Sequence, residues 1–120
     1  MATHNDLGNF GEALAAKYLT ENGYTVLEKN WRYLKAEVDL IAHQNSTLAI
    51  IEVKTRSTDS FGSPEEFVTK SKIKLLITAA DAYVQKRNLD VEVRFDIIAI
   101  VKNNQKTDIK HIKEAFLSFE

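Results

Sequence analysis

At 120 residues, the chain has the length of one ordinary domain, so we expect a single domain over residues 1–120. A hydrophobic content of 44% and a charged content of 28% predict a packed core rather than disorder. The absence of cysteine excludes disulfides and thiolate metal sites. A formal net charge of −1 argues against a protein that coats nucleic acid non-specifically, but it leaves room for an enzyme that contacts a few phosphates.

The sequence contains no candidate membrane span and no targeting segment. No apolar run approaches the ~20 residues that cross a bilayer. The N-terminal residues are polar, which argues against a secretory signal. These features predict a cytoplasmic protein.

The hydrophobic pattern predicts two helices and five strands in the order αβββαββ. The first helix covers Leu7 to Asn22, and the second starts at Ser63 and continues to about Arg87, with a break near Thr69. The predicted strands are Thr25–Tyr33, Glu37–Ala42, Leu48–Arg56, Val91–Val101 and Ile109–Ile112. A brief terminal helix is predicted from Glu114 to Phe119. The order indicates an α/β fold in which helices cover opposite faces of one mixed sheet.

The second and third predicted strands form a hairpin around a polar turn at residues 43–47. A four-residue loop, Gln44 to Thr47, sets a register in which charged side chains share one face and apolar side chains the other. The predicted pairs are Asp39–Glu52, Glu37–Lys54 and Ile41–Ile50 on one face, and Val38–Val53 and Leu40–Ile51 on the other. On the first helix, Glu12 lies at the edge of the buried stripe.

This hairpin carries the residues for metal-assisted phosphodiester hydrolysis. Cross-strand neighbours have Cβ atoms ~5 Å apart, so Asp39 and Glu52 could share one hard cation such as Mg²⁺. Lys54 would lie beside the cation, where it could position a water and neutralise charge on a phosphate. A salt-bridge ladder on a solvated face is the alternative. Aspartate is disfavoured in strand interiors, and the apolar neighbours suggest a buried sheet, which favours a functional site.

Asp39, a twelve-residue gap and Glu52-Val53-Lys54 resemble the motif of the PD-(D/E)xK nuclease superfamily. The wider pattern is most similar to the uncharacterised YraN-like family, related to archaeal Holliday-junction resolvases. The matching residues are Gly8 through Glu12, Ala15, Tyr18-Leu19, Gly23-Tyr24, Asn30-Trp31-Arg32, Glu37 through Ala42, Glu52 through Arg56, Phe61-Gly62, Lys72 and Arg94-Phe95-Asp96. Ala36 stands where that family usually has glycine, and the superfamily's proline before the aspartate is absent.

The resemblance implies a restriction-endonuclease-like fold and an endonuclease that acts on DNA, including branched DNA in recombination or repair. It implies that Asp39 and Glu52 bind Mg²⁺ or Mn²⁺ and that Lys54 assists the attacking water. Glu12 would be the additional catalytic acid carried by a helix. A homodimer would suit an enzyme that cuts two strands, although no residue demonstrates one.

Among the remaining cations, Arg56 and Lys72 are the best candidates for contacts with a nucleic-acid backbone. Arg56 shares the predicted face of Glu52 and Lys54, and Lys72 belongs to the family pattern. Lys74, Lys86 and Arg87 are interpreted as a solvated helix face, and Arg94 with Asp96 fits a structural ion pair at least as well as a catalytic role. Two rival interpretations remain open: a non-catalytic nucleic-acid- or protein-binding module with the same fold, and a purely structural α/β domain.

Overall fold

The computed structural model describes residues 4–58 and 68–116. Its elements are α1 (His4–Glu21), β1 (Thr25–Tyr33), β2 (Ala36–Gln44), β3 (Thr47–Arg56), α2 (Lys70–Arg87), β4 (Glu92–Lys102) and β5 (Thr107–Phe116). This is the predicted order αβββαββ, and the α/β class is confirmed. The predicted start of the second helix at Ser63 lies outside the described residues. In the described part α2 begins at Lys70, capped by the Thr69 hydroxyl, which accepts a hydrogen bond from the backbone N–H of Lys72 at 3.2 Å.

The five strands form one mixed sheet in the order β1-β2-β3-β4-β5. Strands β3 and β4 are parallel because the connection through α2 returns the chain to the same end of the sheet, and all other neighbours are antiparallel. The two helices cover opposite faces, as predicted. Neither helix among the described residues combines the length and apolar content needed to cross a membrane.

Each face of the sheet has its own apolar core. Ala15 and Leu19 of α1 pack on one face against a cluster that includes Ile51. Leu76 and Ala80 of α2 pack on the other face. The side chains that complete the two cores are Leu40, Ala42, Ala49, Val53, Ile98 and Ile100 under α1, and Val38, Ile41, Leu48, Ile50, Phe95 and Ile97 under α2.

The C-terminal part of the chain corrects the sequence prediction. The short strand predicted at Ile109–Ile112 is part of a longer strand, β5, which continues to Phe116, so the helix predicted from Glu114 is wrong as far as the structure describes it. Glu114 has a left-handed φ of 54° and forms a bulge, where the register of β4 and β5 shifts. Beyond the bulge Phe116 is buried and stacks on Phe95 at 5.1 Å between ring centroids. Burial of this ring against β4 outweighs the local preference for a helix.

A network of buried polar side chains fastens β4 to β5 and α1. The Asp96 carboxylate, fully buried, accepts hydrogen bonds from the Arg94 guanidinium at 2.8 and 2.9 Å and from the Glu114 backbone N–H at 3.0 Å. His111 Nε2 lies 2.7 Å from the same carboxylate, and its Nδ1 lies 3.1 Å from the Tyr18 hydroxyl. The pair of Arg94 and Asp96 is therefore structural in this fold.

This network determines how the stability depends on pH. Burial alone would raise the pKa of Asp96, but hydrogen bonds from His111 and Arg94 outweigh it and hold the pKa below its ordinary value. The folded chain therefore releases this proton more readily than the unfolded chain. The resulting stabilisation is present above the ordinary carboxylate pKa and is lost as the pH falls through the lowered one.

We expect Asp96→Asn to lower the free energy of unfolding at neutral pH by about 3 kcal/mol, because Arg94 would lose its buried counter-charge. The matched control is Asp108→Asn. Asp108 is exposed and lies 3.4 Å from Lys106, so its replacement should change stability by less than about 1 kcal/mol. Urea unfolding of the three proteins measures both effects. Equal stability of the two variants would show that the buried network contributes little.

Helix α1 lies unusually close to the end of β3. A Cβ atom at Gly11 would clash with the side chain of Thr55, whereas a Cβ atom at Gly8 would meet nothing within 4 Å. Gly11 thus allows the close approach of α1 to β3, and Glu12 is the next residue along the helix.

We therefore expect opposite effects from the same substitution at these two glycines. Gly11→Ala should destabilise the protein by about 1–3 kcal/mol through overpacking. Gly8→Ala should stabilise it by up to about 1 kcal/mol through helix propensity. Urea denaturation provides both values, and a stabilising Gly11→Ala would contradict the close packing.

Candidate active site

Strands β2 and β3 separate at Asp39, and we call this point the fork. The ladder pairs Leu40 with Ile51 and Ile41 with Ile50, which is the predicted register. The backbone pairing of these two strands does not continue from Leu40 toward Ala36. Instead of a backbone pair, the Asp39 carboxylate accepts a hydrogen bond from the backbone N–H of Val53 at 2.8 Å. The side chain of Asp39 therefore takes the place of a strand partner.

The fork overturns three of the five predicted cross-strand pairs. The ladder ends before Asp39 and Glu52, so these two residues come close through their side chains and not as strand partners, and two more pairs are lost. Val38 lies in the core under α2, whereas Val53 lies in the core under α1, so these two side chains do not face each other. Glu37 forms its ion pair with Arg32 of β1, at 2.9 Å, rather than with Lys54.

The cause of this change of face is in β1. Asn30 has a left-handed φ of 51°, a conformation that asparagine tolerates and that rotates the strand after it. Trp31 therefore packs in the core under α2, and β2 follows because Trp31 is paired with Val38. The alternation of side chains is broken on both strands at the same level, and Asp39 lies at this break.

The fork brings two carboxylates into contact. Glu52 is only 3% exposed, Asp39 is half-buried, and the two carboxyl groups lie close enough for Glu52 to act on the pKa of Asp39. Burial, and after it the neighbouring Glu52 carboxyl group, raise the pKa of Asp39 to about 8. The hydrogen bond from Val53 opposes this shift, while the charge of Glu12 adds to it. Without a cation, Asp39 therefore keeps its proton at neutral pH.

Two lysines compensate the remaining negative charge. The Lys72 ammonium contacts Glu52 Oε2, and the Lys54 ammonium lies 3.9 Å from the same oxygen. This oxygen is buried and receives no hydrogen bond of good geometry, so charge is its main compensation. We refer to Asp39, Glu52, Lys54 and Lys72 as the acidic site.

The acidic site is open to solvent through a cavity of about 340 Å³, the acidic pocket. Asp39 and Glu37 line one side of it, and Thr69, Ser71 and Lys72 from the start of α2 line the other. Because Thr69, Ser71 and Lys72 line the pocket, the positive end of the α2 dipole lies beside it, and no acidic residue in the first turn offsets that charge.

Two further residues, Glu12 and Arg56, were also predicted for the site. Glu12 is half-buried on α1 and near enough for its charge to affect Asp39, in agreement with its predicted position at the edge of the buried face. Arg56 is exposed at the end of β3, and its guanidinium donates to the carbonyl of Thr55 at 2.9 Å. Within residues 4–58 and 68–116, no ion pair joins Arg56 to the acidic site.

Sequence reasoning assigned Lys72 to nucleic-acid contacts and missed its ion pair with Glu52. It also missed Lys35, which lines the acidic pocket from the β1–β2 turn. The position of Lys72 in the first turn after the cap Thr69 was a usable signal, since α2 is the next element that the structure describes after β3. The side of the helix that meets the sheet could not be read from the sequence.

The side chains at the fork fit a hard divalent cation in part. Mg²⁺ takes one or two carboxylates and completes its shell with water and phosphate oxygens. Asp39 and Glu52 supply two carboxylates, and the buried Glu52 Oε2 has a lysine charge where a metal charge would also be favourable. No group of three or more Asp, Glu, His or Cys side chains among the described residues could hold a metal ion by itself. Two carboxylates alone would leave most of the coordination shell of such a cation to water or to another ligand.

The raised pKa of Asp39 predicts how the stability of the folded chain changes with pH. The folded chain keeps this proton up to about pH 8, whereas the unfolded chain loses it near 3.8. The stability that Asp39 contributes therefore declines as the pH rises between these values. We expect Asp39→Asn to be more stable than the wild type at pH 8 in metal-free buffer, with a difference that shrinks toward pH 4. Thermal unfolding across this range measures the difference in stability between the two proteins. A difference that grows on acidification would contradict the raised pKa of Asp39.

Comparison with known proteins identifies the family. Residues 11–100 match the family described as Uncharacterised protein family UPF0102. The chain is 55% identical over 119 residues to a UPF0102 protein of Christiangramia forsetii and 50% identical over 119 residues to one of Flavobacterium psychrophilum, covering 99% of this chain and 100% of each relative. It is 49% identical over 116 residues to a relative from Bacteroides thetaiotaomicron, covering 97% and 96%. The resemblance to the YraN-like family is confirmed, and the chain belongs to the UPF0102 family.

Proposed function

We propose that this protein is a Mg²⁺- or Mn²⁺-dependent endonuclease that hydrolyses phosphodiester bonds in DNA, with branched DNA of recombination or repair as its substrate class. One observation carries the proposal: Asp39 and Glu52 meet at an open fork in the sheet, beside the ammonium of Lys54. Burying two carboxylates in contact is unfavourable for folding, and a fold without a ligand for them gains nothing from it. A cation that both carboxylates bind would remove their repulsion.

The residues of the acidic site divide the chemistry between them. Asp39 and Glu52 would hold the cation. When bound, the cation supplies a water of lowered pKa and polarises a phosphate oxygen. Lys54 Nζ, beside Glu52, would donate a hydrogen bond to the attacking water or to a phosphate oxygen and stabilise the charge that develops there.

The surrounding residues would orient the substrate. Lys72 and the start of α2 face the acidic pocket with positive charge, which favours a phosphate at that position. When a cation and a phosphate enter, Lys72 can exchange its contact with Glu52 for one with the phosphate. Glu12 approaches the same carboxylates from α1 and would accept a hydrogen bond from water there. Arg56 is at the exposed end of β3, where it would contact the backbone farther from the cleaved bond.

Cleavage of linear, flapped and four-way-junction DNA with Mn²⁺ tests the proposal. We expect the wild type to cut at least one of these substrates and a chelator to abolish cleavage. Lys54→Ala should reduce the rate at least about 100-fold, since it removes a group that stabilises the transition state. Lys110→Ala, an exposed lysine of β5, should leave the rate unchanged.

Cleavage that survives Lys54→Ala would assign the activity to a contaminant or to another site. DNA that is bound but never cut, with either metal and any of the substrates, would favour the rival interpretation. In that case the chain would be a binding module that keeps the nuclease fold.

A further inference from the structure

A second pocket, nearly all apolar, adjoins the acidic pocket. It has a volume of about 430 Å³, and we call it the apolar pocket. Its lining residues are Tyr33, Leu34, Lys35, Ala36, Leu75 and Thr78. The two cavities share a wall, because both are lined by Lys35, Ala36 and Leu75.

The walls of the apolar pocket expose large hydrophobic side chains. Leu34, at the turn between β1 and β2, is 82% exposed, and Leu75 of α2 is 38% exposed. Leu34 also has a left-handed φ of 54°, a conformation that favours asparagine or glycine at a turn. The folding of the turn therefore gives no reason for a leucine here, and the side chain is free to pack against a ligand.

The aromatic part of the wall is held in place by the fold. Tyr33 stacks on Trp31, with ring centroids 6.1 Å apart and an angle of 5° between the planes. Trp31 in turn packs edge-on against the buried Tyr83 at 5.2 Å. The pocket is therefore supported by the core under α2 rather than by a free turn.

Two lysines lie at the edge of the apolar pocket. The Lys86 ammonium lies 5.0 Å above the centre of the Tyr33 ring. Lys35, on the rim shared with the acidic pocket, forms no ion pair with any residue that the structure describes. No acidic side chain lines the apolar pocket. An apolar cavity with cations at its edges matches a nucleotide, whose base has apolar faces and whose phosphates are negative.

We propose that the apolar pocket receives an unpaired nucleobase next to the phosphate that occupies the acidic site. This inference rests on the proposed nuclease function and narrows its substrate. A base within a continuous duplex is paired and stacked, and it could enter only after flipping out at an unfavourable free energy. The substrate would then have a single-stranded nucleotide beside the bond that is cut, as a flap, a fork or an opened junction does.

Binding to intact and abasic single strands tests this inference without cleavage. The probes are fluorescein-labelled oligodeoxythymidylate of about 12 nucleotides and an abasic strand of equal length. Fluorescence anisotropy is measured in buffer without divalent cations. We expect the wild type to bind the intact strand at least about fivefold more tightly than the abasic strand.

Substitutions in the pocket wall should remove this preference. In Leu34→Ser and in Leu75→Ser the ratio of the two affinities should fall toward one, while the dependence on salt, which reports phosphate contacts, stays unchanged. Leu27→Ser is the matched control, because Leu27 is 41% exposed on β1 and lines neither pocket. It should keep the wild-type ratio.

The outcomes separate this inference from the proposed function. Equal binding of both strands by the wild type, or a ratio that Leu34→Ser leaves unchanged, would overturn the nucleobase pocket even if junction DNA is cut in a Lys54-dependent manner. A dimer that Leu34→Ser dissociates, with no change of ratio, would also overturn it and make this surface an interface between two copies. Base-dependent binding without cleavage of any DNA would support the pocket and contradict the nuclease.

Discussion

The contact between the carboxyl groups of Asp39 and Glu52 is the interaction on which the site depends. An ionised carboxylate is unfavourable in a buried position, and burial together with the neighbouring Glu52 raises the pKa of Asp39 to about 8. The fold maintains the contact with the Val53 N–H on one side and the Lys72 and Lys54 ammonium groups on the other. These contacts offset part of the unfavourable burial of the two carboxyl groups.

Because β2 and β3 separate at the fork, side chains from two helices on opposite faces of the sheet can reach the same pair of carboxylates. Where β2 leaves β3, the sheet no longer separates the two layers. Glu12 approaches from α1, with Gly11 allowing the helix to lie against Thr55, and Lys72 approaches from the first turn of α2. The parallel pairing of β3 and β4 requires α2 to cross the sheet, so the start of this helix lies near the end of β3.

Much of the fold was predictable from periodicity, and the failures have physical causes. The register of Leu40 with Ile51 was predictable because a slip of one residue would expose every apolar side chain. The break in alternation at Asn30 was not, since a left-handed residue leaves no trace in the pattern of polar and apolar residues. The terminal helix was predicted from a short segment, Glu114 to Phe119, in which Phe116 gains more stability by stacking on Phe95 than by joining a helix.

Titration calorimetry with Mn²⁺, at a pH above the value of about 8 for Asp39, tests the central claim most directly. We expect one bound cation per chain in the wild type and none in Asp39→Ala or Glu52→Ala. Glu37→Ala, which removes another carboxylate of the same pocket, should retain binding because Glu37 is paired with Arg32. A wild type that binds no Mn²⁺, or binding that is equal in the wild type and the Asp39 and Glu52 variants, would contradict it.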